Sequence, residues 1–220
     1  MRRAPHATSE PAPAQAAPAS APALWPRLPA FRVRRLQSDH GLFPRVHPAD
    51  GTITVDLPAE ASGEGSDVEC LLLSFDDHPD ASFLVLPASA APVQMKGEIR
   101  ISPVLRFALA SRDERVTLRN PTSHCFLTAL PPSVGGALLC DRTLAHDWEC
   151  FRLLPAHDRQ HRRVADALRL DGFVPALSDP SVLLAADDPA ALLPILLVLA
   201  NPAVTAPLRR HLGAAMRYIE

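Results

Sequence analysis

Residues 31–155 carry one pattern written twice, and a chain that repeats itself in this way must fold into units that pack on one another. Arg34 and Arg119 lie 85 apart (119 − 34), and the same offset pairs Ser38 with Ser123, Leu42 with Leu127, Gly51 with Gly136, Ile53 with Leu138 and Asp56 with Asp141. The offset then falls to 80 (147 − 67), where Asp67-Val68-Glu69-Cys70-Leu71 matches Asp147-Trp148-Glu149-Cys150-Phe151. At that point the earlier copy holds the longer loop AEASGEGS, and added length in a turn-rich connection leaves the apolar positions on either side undisturbed.

The later copy predicts four short strands. Val116 and Leu118 alternate with polar residues, Phe126 and Leu127 form a second apolar patch, Leu138 and Cys140 follow the Gly135-Gly136 turn, and Trp148, Phe151 and Leu153 close the unit. Between the copies lies a degenerate third, with Phe83, Val85, Val93, Ile99, Ile101, Leu105 and Phe107 in short runs broken by Pro and Gly. Units of roughly 40 residues cannot each bury an apolar face alone, so three of them imply a pseudo-threefold β body.

The stretch Val116–Leu153, with its VTLR opening, Gly turn, LLCDR and DWECFRL, resembles one repeat of the fascin-like β-trefoil superfamily. The resemblance spans Phe31 to Pro155, departs from the family where Val68 replaces the closing Trp, and is weakest in the middle unit, which lacks the Gly turn. It implies a mainly β fold: a β-trefoil over 31–155, behind a disordered Pro/Ala-rich N-terminal leader (1–30) and ahead of a small C-terminal α-helical extension (156–220). A ricin-type trefoil fits less well, because Gln-x-Trp does not occur.

The flanks fit that division. Prolines and few large apolar residues predict disorder for the leader, with Trp25 folding back over a barrel edge, and no apolar run follows Arg2 and Arg3 as a secretory signal requires. A cytoplasmic, reducing location is therefore expected, with Cys70, Cys125, Cys140 and Cys150 as free buried core thiols. After Pro155 the period becomes helical: Val164, Ala165 and Leu168 form a stripe ended by Gly172, and Asp179-Pro180, Asp188-Pro189 and Asn201-Pro202 mark further helix starts, the last leading to Leu208, Leu212, Ala215 and Ile219. Residues 189–208 carry no charge, but Pro194, Asn201, Pro202 and Pro207 interrupt them. A buried helix or an oligomer contact is expected there and a membrane span is not.

Little chemistry stands out. His157 and His161 are spaced i, i+4 without a Glu between them, Asp76-Asp77-His78 lies in a turn, Ser123-His124 would point to opposite faces of a strand, and no phosphate loop or Gly-x-Ser-x-Gly occurs. No catalytic residue, metal or cofactor is expected. The net charge of −2 supplies no basic stripe for nucleic acid. What remains is recognition by loops on a rigid body: Arg119, Asn120, His124, Asp141 and Arg142 offer the donors and acceptors that sugar hydroxyls need. In the competing reading Arg119 and Asp141, whose types recur at Arg34 and Asp56, only fix turns. The expected function is a non-catalytic binding module for carbohydrate or a protein surface. The alternatives are the accessory domain of a sugar-processing, glycosyltransferase-like enzyme, or an adaptor that binds partners through its C-terminal helices.

Overall fold

The computed structural model describes residues 28–47, 49, 52–61, 67–88, 93, 106–170, 177–179, 195, 196 and 199. Residues 1–27 of the leader with Trp25, Gly51, Ile99, Ile101, Leu105, Gly172, the helix starts at 188 and 201 and the final apolar stripe lie outside the described residues.

Ten strands are described: β1 (Phe31–Ser38), β2 (Phe43–Val46), β3 (Ile53–Leu57), β4 (Leu71–Phe75), β5 (His78–Val85), β6 (Arg106–Arg112), β7 (Arg115–Arg119), β8 (Phe126–Ala129), β9 (Leu138–Arg142) and β10 (Cys150–Pro155). Six of them close a ring. β10 pairs with β1, β1 with β4, β4 with β5, β5 with β6, β6 with β7, and β7 returns to β10, every pair antiparallel. A closed ring leaves no ring strand with an unpaired side. The hairpin β2–β3 forms its own two-stranded sheet, β8–β9 continues from the ring through the Arg119–Phe126 pairing of β7 with β8, and the two hairpins touch each other through the Thr54–Ala137 bridge and a 2.5 Å bond from the Val55 N–H to the Gly136 carbonyl. Gly136 has φ 60, the left-handed conformation that an L side chain resists. Six ring strands with hairpins inserted between the first pair and the last pair make this a β-trefoil.

Matching hairpin pairs shows where the sequence offset is displaced. Phe43 faces Leu57 as Phe126 faces Arg142, Pro44 faces Val55 as Leu127 faces Cys140, and Asp56 and Asp141 are each the extra residue of a bulge. The offset of 85 thus holds for β3 and β9 (142 − 57) but is 83 for β2 and β8 (126 − 43). In the preceding turn Ser38 binds Leu42 as Asn120 binds Cys125, an offset of 82 at the start (120 − 38). Ser38 with Ser123 and Leu42 with Leu127 are therefore not equivalent positions, because each turn between them differs in length.

The barrel interior is filled by Leu36, Leu72, Leu84, Phe107, Leu118 and Phe151, with Cys70 and Cys140 among them. Strand β4 is buried on both faces, which explains its unbroken Leu71-Leu72-Leu73 run. Its outward residues Leu71, Leu73 and Phe75 join Val33, Phe83 and Val85 under helix α1 (Asp158–Leu170), which contributes Val164, Ala167 and Leu168. Ile195 and Leu196, from the uncharged stretch, are fully buried in the same cluster. Among the described residues no helix is long and apolar enough to cross a membrane.

A buried polar chain ties α1 to the barrel. Glu69 is wholly buried, accepts from Arg35 Nε at 2.9 Å on one oxygen and from Gln160 Nε2 at 3.1 Å on the other. Gln160 in turn accepts the His157 N–H at 3.1 Å, satisfying a donor that the helix start would leave open. Trp148 departs from its expected place in the closing strand: it sits on a 3₁₀ turn (Asp147–Glu149) and is 40% exposed, while Phe151 fills the core.

Candidate recognition site

The sequence-predicted residues divide into one that builds the fold and four that face outward. Asn120 is buried; its Nδ2 donates to the Arg106 carbonyl at 3.1 Å, and its Oδ1 accepts from Thr122 N at 3.0 Å and Ser123 N at 2.7 Å. That amide shapes the 120–125 turn. Arg119 and His124 are exposed, with Arg119 Nε donating to the His124 carbonyl at 3.1 Å. His124 has φ 62 and lies in the 120–125 turn, the loop position read from the sequence. Asp141 and Arg142 are exposed neighbours 3.5 Å apart, a weak surface pair.

Register brings two of these together around a residue that was missed. Arg119 on β7 faces Phe126 on β8, which faces Arg142 on β9, and paired residues of antiparallel strands share a face. The Arg119 guanidinium carbon lies 5.7 Å from the centre of the half-buried Phe126 ring. In sequence Phe126 reads as core; only strand pairing puts it between two arginines.

A second arrangement lies where β10 closes the ring. Two adjoining recesses, of about 200 and about 530 Å³, share Arg115, Cys150 and Arg152. The smaller adds Gln37, Asp39 and Gly41 from the β1–β2 turn, and the larger adds Arg112, Asp113, Glu114 and Asp147. Arg115 and Asp39 are ion-paired across the smaller one. No residue of the recesses belongs to the sequence-predicted set, since they meet only because β10 pairs with both β1 and β7.

The loops around the recesses are fixed by their own bonds. In the β1–β2 turn, Gly41 (φ 76) donates to the Ser38 carbonyl at 3.0 Å and its own carbonyl accepts from Gln37 Nε2 at 3.1 Å. The β6–β7 turn is two residues long with Asp113 at φ 56, a conformation aspartate tolerates better than most side chains. In the 143–149 loop, Arg112 Nη1 donates to the Ala145 carbonyl at 3.1 Å, the Cys150 thiol to the His146 carbonyl at 3.1 Å, and the His146 N–H to the buried Glu149 carboxylate at 2.7 Å. This loop nonetheless exposes Leu144 and Trp148.

All four cysteines are free, and Cys70, Cys140 and Cys150 are buried as expected, Cys150 also reaching the recesses, whereas Cys125 is only half-buried. Burial pushes the Cys140 thiol up to about 12, helped by the charges of Cys125 and Asp141. Burial, with Glu69 alongside, also raises Cys70 far above the usual thiol range. Among the described residues no three His, Cys, Asp or Glu side chains gather as a metal site. His161 instead stacks on Phe31, with ring centres 5.4 Å apart.

No protein-family model matches the chain, and no curated protein matches it. Among solved structures it is similar to a GlcNAcα1-4Gal-releasing endo-β-galactosidase from Clostridium perfringens (TM-score 0.43, 9% identity, 57% of this chain and 33% of that one). It is also similar to SeviL bound to asialo-GM1 saccharide (0.42, 13%, 58% and 100%). A third is the Polyporus squamosus lectin bound to a human-type influenza-binding epitope (0.41, 7%, 58% and 50%). The chain thus spans a third of the first, all of the second and half of the third.

Proposed function

We propose that the chain is a non-catalytic binding module that recognises carbohydrate at the ring-closure recesses. The observation that carries this reading is a concave surface lined by interleaved guanidiniums and carboxylates, on loops held by their own hydrogen bonds, with the exposed Trp148 next in the chain to the lining residue Asp147. Sugar hydroxyls both donate and accept. Asp39, Asp113, Glu114 and Asp147 supply acceptors, Arg112, Arg115 and Arg152 supply donors, and the indole offers a flat apolar face for ring C–H groups. Loops already ordered lose little entropy on binding. Catalysis is not part of the proposal: Asp113, Glu114 and Asp147 are exposed and Asp39 is engaged by Arg115, whereas a carboxyl acting as general acid needs an apolar setting. In this reading residues 31–155 form the binding body, which resembles the fascin-like trefoils through Val116–Leu153, with 1–30 a leader and 156–220 an extension.

A glycan array probed with the full chain, followed by calorimetry on the glycans it retains, tests this. Saturable binding is expected for the parent and lost in Trp148→Ala and Arg115→Met, with unfolding temperatures within a degree or two of the parent. An empty array, or binding that survives both substitutions, refutes the proposal.

A further inference from the structure

The same aromatic position is sealed in the first unit and open in the third. Phe43 and Phe126 hold identical places in their hairpins, each opposite the last residue of the partner strand and next to a bulged aspartate. Around Phe43 the seal is complete: the ring is 1% exposed, its partner Leu57 is buried, and the Arg35 guanidinium lies 4.2 Å above it. Arg35 is neutralised by Glu69, and α1 lies across this side, giving Gln160 to Glu69 and Arg163 to Asp67.

Around Phe126 each of those parts is altered. Arg142, exposed, stands where Leu57 is buried, and Arg119 lies over the ring without an ion pair among the described residues. The carboxylate matching Glu69 is Glu149 (149 − 69 = 80), and it is turned away to accept the His146 N–H at 2.7 Å. In place of α1, the short 3₁₀ turn Asp147–Glu149 lies against β8. The buried carboxylate that neutralises the arginine over Phe43 has no buried counterpart over Phe126, where the exposed Asp141 lies 3.5 Å from Arg142.

We infer that the Arg119–Phe126–Arg142 strip is a docking site for an acidic, apolar-faced segment of a partner protein. Charge complementarity selects the occupant: two guanidiniums flanking an aromatic ring call for carboxylates beside an aliphatic or aromatic side chain. The leader of this chain does not fit, since residues 1–30 carry one acidic residue, Glu10, against Arg2, Arg3 and Arg27. The strip is separate from the ring-closure recesses, with which it shares no residue, so the two sites stand or fall independently.

Selection of phage-displayed peptides on the full chain, with anisotropy measurements on the enriched peptide, tests the inference. Enriched sequences are expected to join Asp or Glu to large apolar residues and to weaken in 0.5 M salt, roughly tenfold or more. The Arg119→Gln/Arg142→Gln chain should bind them roughly tenfold or more weakly, and Trp148→Ala should bind them unchanged. Absence of enrichment, peptides without acidic residues, or affinity indifferent to the double substitution overturns the inference. Two further results do the same: an acidic glycan whose binding depends on the two arginines, which makes the strip a saccharide site, or a marked fall in unfolding temperature in the double variant, which shows that the chain already covers it.

Discussion

Replacing Glu69 by Ala tests the packing of α1 on the barrel most directly. The carboxylate is fully buried, and Arg35, 8% exposed, meets it at 2.9 Å. Removing it takes the counter-charge from a buried guanidinium, for which about 3–5 kcal/mol is the expected loss, and it also deprives Gln160 of its acceptor. Gln160→Ala removes only the neutral end of the chain and the bond to the His157 N–H, and should cost about 1–3 kcal/mol. The informative comparison is Arg35→Leu/Glu69→Leu, in which both charges go together. A buried pair replaced by apolar side chains is often near neutral, so the double variant should lose far less than the two single losses combined. Urea unfolding of the four variants, followed by far-ultraviolet circular dichroism at constant slope, reads these differences. A Glu69→Ala loss below about 1 kcal/mol, or additive losses in the double variant, would refute the claim that the pair is a desolvated, mutually dependent link.

Three further outcomes follow from local geometry. Asn120→Ala should lower stability by roughly 1–3 kcal/mol in the same unfolding assay, because it removes the buried amide that accepts from the Thr122 and Ser123 N–H groups and donates to the Arg106 carbonyl. Gly136→Ala should cost about 1 kcal/mol through its positive φ; the added Cβ would lie 3.5 Å from the Val55 carbonyl oxygen, an ordinary contact, so a much larger loss in thermal unfolding would contradict the strain account. The Cys140 thiol, raised from 9.0 to about 12, binds its proton more tightly folded than unfolded, so its contribution is intact below pH 9 and is lost as pH climbs from 9 toward 12. Unfolding curves across that range should show stability falling with pH, less steeply in Cys140→Ala, and alkylation at pH 8.5 should label Cys125 well before Cys70 or Cys140.

The strands of the later copy were legible because Val116, Leu118, Leu127, Leu138, Cys140 and Phe151 keep period two between Gly and Pro turns, and that pattern is what a half-buried strand requires. The α1 stripe was legible for the matching reason at period 3.6. Register was not: the 39–41 turn is one residue shorter than 121–124 and the 47–52 loop two shorter than 130–137, and offset matching has no means of placing such gaps inside polar turns. Asn120 looked like a ligand contact because an amide that shapes a turn and one that meets a sugar are the same residue type. The recesses were invisible, since Asp39, Arg115 and Arg152 are remote in sequence and join only through β10. Trp148 misled in the other direction, as bulk alone suggested the core.

Ring closure by the last strand also bears on how the protein is made. Arg34 meets Pro155, 121 positions later (155 − 34), so one side of β1 stays open on the ribosome until most of the chain has emerged. At bacterial or eukaryotic elongation speeds that wait is roughly 6–24 seconds, during which the nascent chain presents a bare strand to chaperones and to neighbouring copies. A circular permutant that begins near residue 143 would place β10 about 95 residues ahead of β1, so that β1 would emerge with this partner already made.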